Sequence, residues 1–352
     1  MSALIAVTSL LLQCDDAPTK PHVPQDDIIY INTGPVADTV GGFHVDSTYG
    51  LLRYHMSSGI FDSVRISLPS RLSMATSPDG RQLYLGLLDN VLVLDTRSWD
   101  TLAILPYART GSYESGLAVS PNGRYLAVCQ NLSTISCVRI LRTSDYSVVF
   151  ADSGAALGTQ LDAPYFSPDN RYFVARGSAG IYMLDLQSRP PQIVDQYLAS
   201  EPLQTGRHDR RWYYTYGWGS RIYDTDGDSV IYSNIPGGGG SAAALSADEH
   251  YLFYVYLGSF WEPSPDKSIH VMDLTNGYAL SSIPTDNLTD QNGVVYPVTL
   301  LGNKLIVSPD GRKLLVGGNL MGAGWLILDI PTMRIEKFYS LQMFNFTCQR
   351  AQ

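Results

Sequence analysis

Short apolar runs alternate with polar positions along the whole chain, and each run is bounded by a turn. The clearest unit opens on Ser77-Pro78-Asp79-Gly80-Arg81, continues through an alternating stretch at 83–86, and reaches a second apolar stretch at 91–95 that ends in Asp95. A third follows at 101–105. The turn has a chemical basis: proline presets φ at the first corner, Asp caps backbone amides, and Gly accepts the left-handed residue that ends the turn. Period-two alternation on both sides predicts β-strands, each turning one face to a core. No stretch sustains a helical apolar period, so the chain is expected to be all-β.

The same turn returns about every forty residues, at Ser120-Pro121-Asn122-Gly123-Arg124, Ser167-Pro168-Asp169-Asn170-Arg171 and Ser308-Pro309-Asp310-Gly311-Arg312. Worn copies stand at Arg207-His208-Asp209-Arg210-Arg211 and Ser246-Ala247-Asp248-Glu249-His250. Each is followed by a strand (125–128, 172–175, 212–216, 251–256, 314–317), and often by a second strand ending in Asp and a third. Adding the strand that leads into the turn makes a four-stranded antiparallel sheet. One such sheet cannot cover both of its faces, so sheets with this period stack around an axis as the blades of a β-propeller.

Six turns are visible, and Leu51-Leu52-Arg53-Tyr54-His55 lies forty residues before 91–95 as a strand of an earlier blade, which gives seven blades. The stretch 28–32 adds a strand to that first blade, and its inner strand is expected from 343–347. Eight blades is the alternative if the long gap before Ser308 holds another, and six if 28–68 is a decoration. Ser77 to Arg81 followed by Leu92-Val93-Leu94-Asp95-Thr96 resembles the bacterial YVTN and WD-like propeller repeats, best over 73–105 and across nearly all of 28–341. That resemblance implies the fold. It leaves activity open, because such propellers include enzymes, receptors and scaffolds.

Three segments follow: 1–14 as a signal segment, 15–27 as a tether and 28–352 as one propeller domain. The apolar run 4–12 is shorter than the ~20 residues that span a bilayer, and has the length of a signal core. Leu11-Leu12-Gln13-Cys14 resembles a bacterial lipobox, although Gln13 stands where Gly, Ala or Ser is usual and no basic residue precedes the run. The resemblance implies lipid attachment at Cys14 and a place in the periplasm or on the outer side of a membrane. Three prolines between 15 and 25 make a stiff tether. In an exported chain Cys129 and Cys137, flanking the loop between neighbouring strands, are a candidate disulfide; Cys348 has no evident partner.

Charge removes one class of partner. With 24 basic and 33 acidic residues the net charge is -9, so a nucleic acid backbone is repelled. Chemistry is sparse. The histidines at 22, 44, 55, 208, 250 and 270 form no His-x-His or His-x-x-x-His pair, and no metal or cofactor is expected. Asp224-Thr225-Asp226-Gly227-Asp228 has alternate carboxylates, but its Gly falls too early for a calcium loop and Ile235 stands where the bidentate Glu belongs. It reads as a hairpin turn. Cys-x-x-Cys-His, Gly-x-Ser-x-Gly, phosphate-loop and dinucleotide fingerprints are all missing. Asn131, Asn287 and Asn345 each open an Asn-x-Ser/Thr sequon.

Departures from the repeat are the candidate binding surfaces. Residues 258–267 insert Phe260 and Trp261, large aromatics suited to anchoring a partner, and 285–297 form a second excursion. The aromatic run 211–219 fits either a groove or the core between blades. The favoured reading is a non-catalytic, membrane-tethered scaffold for other, membrane-associated proteins, an accessory subunit on the outside of a larger complex. The alternative is an enzyme or small-ligand receptor using the axial pocket, as in propeller lactonases or quinoprotein dehydrogenases.

Overall fold

The computed structural model describes residues 28–33, 39–40, 43–44, 49–56, 58–68, 73–87, 90–106, 113–131, 136–154, 161–167, 169–177, 180–197, 201–205, 211–216, 219–224, 229–235, 242–246, 248–255, 268–290, 292–296, 304–308, 310–317, 325–339 and 343–349. All regular structure among them is strand. These strands form seven four-stranded antiparallel sheets and two short hairpins. The second sheet shows the plan: Met74–Thr76, Gln82–Gly86, Asn90–Asp95 and Thr101–Pro106, each paired with the next. The third to sixth sheets repeat it, starting at Tyr113–Val119, Leu161–Phe166, Glu201–Thr205 and Ala242–Leu245, and the seventh starts at Lys304–Val307.

The first sheet departs from this order. Its first strand is Met343–Gln349 from the far end of the chain, followed by Ile28–Thr33, Tyr49–His55 and Ile60–Leu68. Ile28 pairs with Gln349 and Thr33 with Met343. First strands of successive sheets touch in cyclic order, and Met343–Gln349 touches both Met74–Thr76 and Lys304–Val307, so the ring closes through the two chain ends. Each sheet then keeps only short edges, at its innermost and outermost strands.

Where side chains are described, sheets pack face to face, and middle strands such as Gln82–Gly86 and Lys313–Gly317 are almost continuously apolar. Leu83 and Leu85 point toward Tyr30, Leu51 and Val64 of the first sheet, and Tyr84 between them points toward Leu117, Leu126 and Val128 of the third. Burying one such leucine is worth roughly 1.5–3 kcal/mol. The seam between the seventh and first sheets is aromatic. Trp325 stacks on Tyr339 at 4.4 Å and meets Tyr54 and Phe61 edge-on at 5.6 and 5.9 Å.

The turns earn their sequence regularity through one hydrogen-bonded unit. Ser77 Oγ donates to Asp79 Oδ1 and accepts from the Gln82 amide at 2.9 Å, while Asp79 Oδ1 accepts from the Arg81 amide at 3.1 Å. The unit recurs at Ser120, Ser167, Ser246 and Ser308, so the worn copy at 246–250 keeps the full geometry without its proline. In these five turns the fourth position is left-handed: Gly80, Gly123 and Gly311, but also Asn170 at φ 61° and Glu249 at φ 58°. Adjacent turns also touch, since Asn170 Oδ1 accepts from the Asn122 amide at 2.8 Å. Ser120 is fully buried, and Ser120→Ala leaves the Tyr125 amide without its acceptor. A loss of about 1–3 kcal/mol is expected in urea unfolding; an unchanged midpoint would show that the serine only fills space.

Candidate functional site

The excursion after the sixth sheet is a built element. Leu288–Thr289 and Val295–Tyr296 form a hairpin whose turn is capped by Asp290, with Oδ1 accepting from the Asn292 and Val294 amides at 2.9 Å each. Gly293 takes φ 81° at the tip. One side of the hairpin is braced: Leu288 and Tyr296 pack on the seventh sheet, with Tyr296 edge-on to Phe338 at 5.4 Å. Val294 and Val295, consecutive residues just after the turn, are 51% and 56% exposed. Both are bare apolar side chains on a fixed base. Asn287 of the sequon lies exposed at the hairpin's foot with φ 56°.

Among the described residues, polar side chains also gather across strands in three places. In the first sheet Arg53 grips both oxygens of Asp62, 2.7 Å from Nε to Oδ1, and His55 Nε2 approaches Asp62 Oδ2 at 3.3 Å. The Arg53 guanidinium also covers the Trp99 ring at 5.2 Å, tying the first sheet to the second. Burial opposes ionisation of Asp62, but the bonds from Arg53 and His55 outweigh it and hold its pKa below the ordinary carboxylate value. Tyr30, alongside, is pushed up to about 12 by burial. In the fourth sheet Arg171 reaches Asp185 at 3.1 Å. In the seventh Lys313 Nζ lies 2.8 Å from both Asp329 and Glu336.

Hydrogen bonds from Lys313 and the Thr332 hydroxyl hold the Asp329 pKa down to about 2. A carboxylate whose folded pKa lies below its unfolded value, about 3.9, stabilises the fold above that pH and loses its contribution as pH falls toward the folded value. The window here runs from about pH 4 to about pH 2. Lys313→Met should therefore move the acid-unfolding midpoint upward, as followed by tryptophan fluorescence. Coincident acid transitions for variant and parent would exclude this cluster from acid stability.

Most residues singled out from sequence are placed only in part. Cys14, the tether, and Phe260 and Trp261 with the rest of 258–267 lie outside the described residues. So do the side chains of 211–216, although Arg211–Tyr216 is the second strand of its sheet. The disulfide expectation meets a contrary register. Cys129 stands opposite Val138 and Cys137 opposite Gln130. Neighbours along a strand face opposite sides, so the two buried thiols point into different inter-sheet layers, with Cys129 packed toward the fourth sheet. A bond across this hairpin would require a one-residue slip.

Among the histidines, His250 sits in a turn, His270 stacks on Tyr254 at 4.8 Å, and His55 joins Asp62. Among the described residues no group of three His, Cys, Asp or Glu side chains could hold a metal ion. Four stretches of the inner strands are apolar, Met74-Ala75-Thr76, Leu117-Ala118-Val119, Ala243-Ala244-Leu245 and Leu305-Ile306-Val307, while Glu114, Asp162, Glu201 and Lys304 also stand in inner strands. The polar clusters escaped the sequence reading because their members come from different strands. A signal did exist at one position, Arg139, a lone charge inside the apolar stretch Cys137-Val138-Arg139-Ile140-Leu141.

Closed rings of four-stranded antiparallel sheets define the chain as a β-propeller. Solved structures carry the same fold. The chain is similar to a provisionally assigned 6-phosphogluconolactonase from Bacteroides uniformis, at 15% identity and a TM-score of 0.64 over 92% of this chain and 99% of that one. It is similar to the dihydro-heme d1 dehydrogenase NirN, at 18% identity and 0.59 over 95% and 76%. It also matches the propeller domain of Cps50 (Swd1) from Myceliophteria thermophila, at 14% identity and 0.56 over 77% and 86%. No protein-family profile and no curated protein matches the chain. At these identities the likeness is one of fold, shared by enzymes and interaction modules alike.

Proposed function

We propose that this chain is a non-catalytic scaffold, a closed seven-bladed propeller tethered through Cys14 on the outer side of a bacterial membrane, where it docks other proteins of a membrane complex. One observation carries the reading: the hairpin at 288–296 departs from the repeat, is braced on the seventh sheet through Leu288 and Tyr296, and turns Val294 and Val295 to solvent. A repeat protein has no architectural need for this addition, and paired exposed apolar side chains on a rigid support suit a partner interface. Phe260 and Trp261, inserted within the sixth repeat, are the second anchor of the same proposal.

The test is native purification through the N-terminal anchor with identification of co-purifying proteins, for the parent and for Val294→Ser with Val295→Ser. The double variant should keep its thermal midpoint and lose about tenfold of its partner, the equivalent of about 1.4 kcal/mol at the interface. Undiminished recovery from that variant and from a 259–266 deletion would rule out both surfaces. Metabolic labelling with a fatty acid, lost in Cys14→Ala, tests the anchor.

A further inference from the structure

Six of the seven sheets break the register of their outermost strand. In five of them that strand holds an extra residue against its neighbour: Leu102, Val149, Val194, Ile231 and Glu336 each fall between consecutive rungs. In the first sheet the break comes between Val64 and Leu68. A bulge bends a strand and throws its outward amides and carbonyls out of line. It is one of the ways a protein keeps an open edge from pairing with another chain.

The sixth sheet has no such break. Ala279–Pro284 pairs with Ser268–Asp273 over six consecutive rungs, from Ala279 opposite Asp273 to Pro284 opposite Ser268. It is the last strand of its sheet. Five of its six residues are exposed, Leu280 at 45%, and Ile283 is partly buried against the cluster shared with the seventh sheet. The strand reads Ala-Leu-Ser-Ser-Ile-Pro, without the lysine or other charge that protects many edges. Residues 279–283 each keep a backbone N–H, and in an antiparallel ladder every second residue points its N–H and C=O away from the neighbour it already has. A straight, uncharged row of such groups is a template for one more strand.

We infer that Ala279–Pro284 is a docking edge, to which an extended segment of another protein adds as a fifth strand. Main-chain bonds supply the affinity of such an addition, and alternate side chains its selectivity. Charge chooses the occupant. Asp286 stands exposed just past the strand, and a second copy of this chain would bring its own net charge of -9 to the same place. The segment is therefore a basic one, with β-branched residues between its charges. The inference rests on the docking reading only in that the chain binds protein, and it adds to the valine hairpin the strand that precedes it.

The test uses the full chain and the peptide Lys-Thr-Val-Thr-Val-Thr-Lys. Two controls accompany it: the same peptide N-methylated at its five inner residues, which keeps the charge and loses the main-chain donors, and Glu-Thr-Val-Thr-Val-Thr-Glu. Amide hydrogen exchange read by mass spectrometry should show 279–283 slowed about tenfold or more at millimolar basic peptide, with 101–106 and 334–339 unchanged. Neither control should protect. Leu280→Lys with Ser282→Lys should abolish protection while the circular dichroism spectrum stays that of the parent, since both side chains are exposed. No protection at 279–283, equal protection of the bulged strands, or equal protection by either control would overturn the inference. Co-purification of a partner while this test fails would leave docking to the hairpin; protection here with no co-purifying protein would keep the edge and remove the scaffold.

Discussion

A chain ending at Tyr339 is expected to lose most of its stability, although only thirteen residues are removed. Met343–Gln349 supplies the first strand of the first sheet and pairs along the whole of Ile28–Thr33. Without it Ile28–Thr33 becomes an open edge with unpaired amides and carbonyls. Contacts to Met74–Thr76 on one side and Lys304–Val307 on the other disappear together, so a closed ring becomes an open arc. A domain of this kind holds only about 5–15 kcal/mol in total, and opening the ring should remove more than half of it. Urea unfolding of the truncated chain should show a low, broad transition, and a peptide covering 340–352 added in trans should restore a sharp one. An unchanged midpoint on truncation would show that closure contributes nothing.

Trp325→Ala should be the most damaging single substitution, at about 3–5 kcal/mol. Trp325 is 1% exposed, and its ring joins Tyr339 of its own sheet to Tyr54 and Phe61 of the first. Its indole Nε1 is buried without a hydrogen-bond partner, a standing penalty of about 1–3 kcal/mol. Trp325→Phe removes that penalty together with some packing, so it should cost much less than alanine. The indole also depends on Gly317, where an added Cβ would stand 2.5 Å from Trp325 Cβ. Gly317→Ala should therefore destabilise alone, yet add less than its full effect to Trp325→Ala, because the collision partner is the same residue. Equal losses for Trp325→Phe and Trp325→Ala would show that ring size matters less than the indole's particular shape.

Local chemistry explains what could be read from sequence. Ser77-Pro78-Asp79-Gly80-Arg81 and its copies are self-contained units, stabilised by bonds spanning five residues, so they survive as recognisable strings. The strand at 343–347 could be assigned to the first sheet because a ring needs a closing partner. The register of Cys129 against Cys137 could not be read, since both lie near the same loop and a single-residue offset moves a side chain to the other face. Arg53, His55 and Asp62 share one sheet but are brought together only by pairing across Tyr49–His55 and Ile60–Leu68. Arg139 was visible as an odd residue in an apolar strand, yet its bond goes to the Pro106 carbonyl in another sheet. The hairpin at 288–296 showed as extra length, and only its packing on Phe338 reveals which side faces out.

The pairing of Ile28 with Gln349 has a mechanical consequence. Both chain ends leave the ring at the same end of one antiparallel pair, so a pull applied between them peels that pair open one rung at a time. Load carried through an anchor at the N-terminal end alone never meets this weak direction. Such a disc can hang from a membrane under shear without strain on its closure, and would come apart readily only if its two ends were drawn toward different bodies.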